Sequence, residues 1–146
     1  MGALASQWAA AGAKRLAEVR ATPQTDLDRL ISSFLKATSL PALDDHFAKH
    51  GKDFMGATPQ VYLALFVAHI RRDDLRLFTA LQPRYGSRMW YLVGMDNGFI
   101  AQYNESRRRY WSFYRSRDLD AHLGWVRGYW VEVKKAGDRW EAELWR

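Results

Sequence analysis

Cysteine is absent from this chain of 146 residues. Without thiols there is no disulfide framework and no thiolate metal site, so packing must hold the fold together. Long hydrophobic runs are missing too: no segment reaches the roughly 18 consecutive apolar residues of a membrane-spanning helix. The Ala-rich start, MGALASQWAAAGAKRLAEVR, has a short apolar run that Trp8 interrupts, and Lys14 and Arg15 follow the run where an export signal carries its charge before it. An amphipathic or frayed helix is expected there. Met1-Gly2 fits the start of a domain excised from a longer chain equally well. The sequence also lacks internal repeats and low-complexity tracts.

What is present points to one folded domain spanning residues 1–146. The apolar fraction is 48%, with seven each of Trp, Tyr and Phe, enough for a substantial core. A net charge of +6 and a pI near 9.8 favour a polyanionic partner: nucleic acid, an acidic protein or an anionic surface.

The periodicity of apolar residues changes near residues 71–74. Before it, Leu27, Leu30, Ile31, Phe34 and Leu35 follow the i, i+3, i+4, i+7, i+8 spacing of a one-sided helix, with Thr22-Pro23 and Thr25 as start signals. Thr58-Pro59 opens another helix, VYLALFVAHI, apolar nearly all round and so expected to be the most buried. After it come short aromatic and branched runs separated by turn residues. Residues 76–81, 89–93, 99–103 and 109–115 read as strands, with Asp96-Asn97-Gly98 a hairpin turn between the second and third. A short helix is expected over 118–125 and a last hairpin over 126–135 and 139–145, where Trp140, Ala142 and Leu144 alternate with Glu141 and Glu143. Helices first and an antiparallel meander afterwards define an α+β domain, its N-terminal helices packed on a C-terminal sheet. Its parts are an N-terminal helical region (1–38), a histidine helix with the buried helix (39–73) and the sheet (74–146).

The chemistry centres on residues 43–54, LDDHFAKHGKDF. His46 and His50 stand at i and i+4, with Lys49 between them. Ser39 as N-cap, Pro41 in the first turn and Gly51 as the stop would make this a short helix with Leu43, His46, Phe47 and His50 on one face. Cleaving RNA without a metal needs a base for the 2′-hydroxyl proton, an acid for the departing 5′-oxygen and a cation for the phosphate charge. Histidine serves both proton roles near neutral pH. At the helix C-terminus His50 is expected to favour the imidazolium form and act as the acid, leaving His46 as base. An arbitrary HxxxH pair more often packs or caps than reacts. A zinc site would need a third ligand from His69, His122 or a carboxylate, and the sequence is not HExxH.

A second constellation is QYNESRRRYWSFYRSR, residues 102–117, in which cations that can track phosphates interleave with rings that can stack on bases. Strand alternation places Tyr110, Ser112 and Tyr114 on one face and Trp111, Phe113 and Arg115 on the other. Trp111 and Phe113 are expected in the sheet core, and residues 107–109 in a solvated basic turn.

The stretch HFAKHGKDFMGATPQVYL, followed in order by Asn97-Gly98, Tyr103-Asn104 and YWSFYR, resembles the nuclease domains of bacterial polymorphic toxins in the barnase, EndoU, colicin and RelE-like superfamily. The resemblance covers about residues 40–117. It implies a metal-independent, cofactor-free endoribonuclease, acting on RNA and often on tRNA and leaving 2′,3′-cyclic phosphate ends. It also implies a secreted antibacterial effector whose C-terminal payload works in the target-cell cytoplasm, a monomer with no membrane span, and a cognate immunity protein, here expected to be acidic. Carried over by position, the catalytic set is His46, His50, Ser112 and Arg115. Substrate contacts are expected from Lys49, Arg88, Tyr103, Arg109 and Tyr114. Gly94 and Met95 stand where a basic residue is usual before the NG turn, so Arg88 or Arg84 would have to substitute. Two other readings compete: an ADP-ribosyltransferase-type effector using Glu105, Glu132, Glu141 or Glu143, and a non-enzymatic RNA-binding module with structural histidines.

Overall fold

The structure is a computed structural model that describes residues 3–54 and 56–146; Met1-Gly2 and the Met55 of the motif stretch lie outside the described residues. Among the described residues five α-helices, α1 (Ala3–Ala21), α2 (Gln24–Phe34), α3 (Leu43–His50), α4 (Pro59–Ile70) and α5 (Leu119–Trp125), accompany six strands, β1 (Arg76–Leu81), β2 (Arg88–Val93), β3 (Phe99–Asn104), β4 (Arg109–Arg115), β5 (Val131–Ala136) and β6 (Arg139–Leu144). The class is α+β, as the change of periodicity predicts.

The strands form one antiparallel sheet in the order β4-β3-β2-β1-β5-β6. Only the first four make a meander. After β4 the chain passes through α5 and returns to the free edge of β1, while α3 packs against β4. Residues 126–129, expected in a strand, are turns that complete this crossover. Gly98 at φ +74° closes the β2–β3 hairpin, and a Cβ there would lie 2.5 Å from the Ser116 carbonyl oxygen. That is why the turn needs glycine.

Alternation along the strands splits the interior in two. On one face Trp90, Leu92, Ala101, Tyr103, Tyr110 and Phe113 pack with Leu27, Ile31 and Phe34 of α2 and Tyr62, Phe66 and Ile70 of α4. On the other, Phe78, Met89, Tyr91, Val93 and Ile100 meet Leu123 of α5 and Val126, Tyr129 and Trp130. Thr58 caps α4 by accepting from the Val61 amide, with Pro59 in the first turn. The helix is not buried all round: Val61 is 48% exposed, and only the face with Tyr62, Phe66, His69 and Ile70 enters the core.

α1 is pinned by an internal charge. Arg15 is 3% exposed and donates to Thr79 Oγ1 (2.9 Å), Glu18 (3.2 Å) and Glu105 (2.8 Å), while Trp90 Nε1 donates to the same Glu105 oxygen at 2.9 Å. Removing one partner of such a buried set leaves an uncompensated charge. At the outer strand β6, Gln24 accepts from the Trp140 amide (2.7 Å) and donates to its carbonyl (3.0 Å), and Arg20 donates to the Ala142 carbonyl (3.2 Å). Side chains thus occupy backbone groups that an exposed edge would offer to another strand.

Candidate active site at the edge of the sheet

α3 starts and stops differently from its sequence signals. Ser39 and Pro41 lie upstream of it. Its N-cap is Ala42, held in the left-handed region at φ 53° with no side-chain cap bond, and Asp44 and Asp45 supply the negative charge of the first turn. A methyl-bearing residue in that region is strained. At the other end Gly51 has ordinary helical dihedrals, and the chain continues as a 3-10 turn, Gly51–Phe54. Glycine is needed there for space: a Cβ would lie 2.5 Å from the Phe47 ring. The turn carries Phe54 into the core against Tyr62, Phe99 and Phe113, which fixes the end of the histidine helix to the sheet.

β4 supplies the opposite wall. Gln102 pairs with Ser112, whereas Tyr103 pairs with Tyr110, so Trp111 is an extra residue bulged out of the strand. The bulge corrects the simple alternation: Tyr110 turns to the face covered by α2 and α4, where its hydroxyl donates to the Phe34 carbonyl at 2.8 Å, and joins Phe113 there. Ser112 and Tyr114 face the other way. Trp111 is 43% exposed, not in the core, because a bulged residue belongs to neither face. Phe113 is fully buried, as expected.

Between these walls is a cleft of about 420 Å³ lined by Asp45, His46, Lys49, His50, Gln102, Trp111, Ser112 and Tyr114. The two imidazoles are nearly parallel (12°) with centroids 6.3 Å apart. His50 Nε2 lies 3.4 Å from Ser112 Oγ, and its ring is 5.8 Å from that of Tyr114. Five residues expected at the site, His46, Lys49, His50, Ser112 and Tyr114, are therefore together. Arg109 lines an adjoining depression that shares His46 and Trp111 with the cleft.

Three expected residues are elsewhere. Arg115 projects from the far end of β4 and donates to the Asn97 carbonyl at 3.2 Å. Arg88 is engaged by Glu18 (3.2 Å) and Glu105 (3.7 Å). Tyr103 is buried on the face covered by α2 and α4, against Phe34 and Tyr110. Sequence reasoning missed Gln102 and Asp45. Gln102 could be found only from the β3–β4 register, which the bulge alters, whereas Asp45 was legible as the residue before His46.

The electrostatics of the cleft reverse the expected protonation of His50. Burial lowers its pKa, Lys49, His46 and Lys52 lower it further, and Asp53 alone opposes them. The helix-end argument fails because the backbone continues helically past His50. Burial also lowers His46, but there Asp45 and the Trp111 backbone favour the charged form against Lys49. Asp45 is thus the carboxylate lining the cleft that favours a proton on His46. Burial pushes the Tyr114 phenol up to about 12, so it keeps its proton.

The remaining histidines are separate. His69 donates from Nε2 to the Leu92 carbonyl at 2.9 Å inside the core, leaving Nδ1 without a partner. His122 sits on α5 against Trp130. Among the described residues no three His, Asp or Glu side chains are placed to hold a metal ion, and no helix is long and apolar enough to cross a membrane. No protein-family model, curated protein or solved structure matches the chain.

Proposed function

We propose that the protein is a metal-independent endoribonuclease of the toxin type, with the cleft between α3 and β4 as its active site. The observation that carries this reading is the pair of parallel histidines, 6.3 Å apart, opening into one cleft with a serine, a phenol and a lysine. In the proposed reaction neutral His50 takes the proton of the 2′-hydroxyl as that oxygen attacks phosphorus. Protonated His46 gives its proton to the departing 5′-oxygen. The P–O5′ bond breaks and a 2′,3′-cyclic phosphate remains. Lys49 and the Tyr114 hydroxyl are donors available to the phosphate oxygens, and Ser112 orients His50. At 3.4 Å the Ser112–His50 contact is long for a hydrogen bond, as catalytic contacts without substrate often are.

The ADP-ribosyltransferase reading finds less support. Glu105 is held by Arg15 and Trp90 Nε1, Glu132 is buried in a two-point pair with Arg76 at 2.7 Å, and Glu141 and Glu143 lie on β6 at the opposite edge from the cleft. The basic sequence and the toxin-like HFAKHG stretch support RNA, tRNA in particular, as substrate, delivery as a secreted effector into another cell's cytoplasm, and restraint by an immunity protein. The test is incubation of the purified protein with total RNA in EDTA. Cleavage leaving 2′,3′-cyclic phosphate ends is expected. NAD consumption would support the transferase, and retention of RNA without turnover a binding module.

A further inference from the structure

We propose that Trp111 is a stacking platform for an unpaired base beside the cut bond, so that the substrate is single-stranded at the cleavage site; this rests on the ribonuclease reading. Three observations converge on the residue. The β-bulge lifts it out of the strand and leaves 43% of it exposed, although tryptophan in a strand ordinarily packs. Its surroundings are cationic: the guanidinium carbons of Arg107 and Arg109 each lie 5.8 Å from the ring centre. Finally, it is a shared wall. Together with His46 it borders both the histidine cleft and a second depression of about 330 Å³ lined by Pro41, Ala42, Arg109 and Tyr110.

A strand whose phosphate sits between the histidines and which continues into the second depression passes Trp111. There an apolar floor and an exposed indole can hold a base, while Arg109 and Arg107 face the neighbouring phosphates. This combination of ring and cations is what single-stranded nucleic acid requires, and it does not depend on base identity because every base has a π-face. A paired base, stacked on both sides within its duplex, cannot use the ring.

The test separates binding from cutting. The probe is a mixed-sequence 2′-O-methyl oligonucleotide, uncleavable because its 2′-oxygen carries no proton, measured by fluorescence anisotropy as a single strand and as a duplex. Trp111→Phe is expected to keep most of the single-strand affinity. Trp111→Leu, of similar apolar character without a π-face, is expected to lose about tenfold or more, and duplex binding to be the same for all three proteins. The strand should also quench a tryptophan emission component that Trp111→Phe lacks, a readout that does not depend on the Leu variant folding. Equal single-strand binding by the Leu and wild-type proteins, parallel losses on the duplex, or quenching unchanged in Trp111→Phe would each overturn the platform. Trp111-dependent binding by a protein that fails to cut unmodified RNA would sink the nuclease reading and leave the platform standing. Cutting that ignores Trp111 would do the reverse.

Discussion

His46 and His50 differ in their neighbours more than in their burial, and the proposed division of labour rests on that. Asp45 and the Trp111 backbone oppose Lys49 at His46, whereas Asp53 alone opposes Lys49, His46 and Lys52 at His50. Replacing either histidine by alanine is expected to lower RNA cleavage by about two to four orders of magnitude, the usual scale of a proton-transfer role. Because both are only partly buried, the circular dichroism and melting temperature should stay near those of the parent. Loss of structure in both variants would make them packing residues. The pair was legible in the sequence, since i and i+4 positions share a helix face whatever else happens. The fate of Trp111 was not: nothing in YWSFYR announces that one residue will be extruded from the ladder, and that extrusion decides which side chains reach the cleft.

Elements were legible where their punctuation is local. Thr58-Pro59 and Asp96-Asn97-Gly98 fix α4 and the β2–β3 hairpin within a residue or so. The partner of β5 was not, because its pairing with β1 joins segments remote in sequence. Nor does the sequence show what joins α1 to the sheet. Arg15 looks like a surface cation of an amphipathic helix, yet it is the buried centre of a set of contacts with Glu18, Thr79 and Glu105. Arg15→Met should cost about 3–5 kcal/mol, the scale for breaking a buried pair, read from the urea midpoint. A change below about 1 kcal/mol would show that α1 docks by its apolar residues alone.

For the whole molecule, charge sets two expectations. All four histidines have pKa values lowered by burial. The unfolded chain, with ordinary values near 6.5, therefore binds more protons than the folded one as the solution is acidified. Stability present above pH 6.5 should fall as the pH drops through that value toward the lowered folded values. Melting temperatures measured from pH 7.5 to 5 check this; a rise on acidification contradicts it. RNA binding, in turn, should weaken steeply with salt. The exposed turn at residues 107–109 offers three arginines, whereas Arg117 is shared with Asp53 at 3.1 Å and Arg115 is tied to Asn97. Neutralising Arg107 or Arg108 should reduce the slope of log affinity against log salt by about 0.7 for a single strand. An acidic immunity protein covering the same cleft would associate with the same salt sensitivity.

The pH dependence of kcat/KM on a short RNA in EDTA tests the two-histidine mechanism most directly, because it reports the free enzyme's acid and base. The wild-type profile should be bell-shaped with its maximum on the acid side of 6.5, both apparent values belonging to the coupled pair. His50→Ala should abolish the rising limb, the base, and His46→Ala the falling limb, the acid. A profile whose shape survives both substitutions would contradict the assignment of proton transfer to this pair.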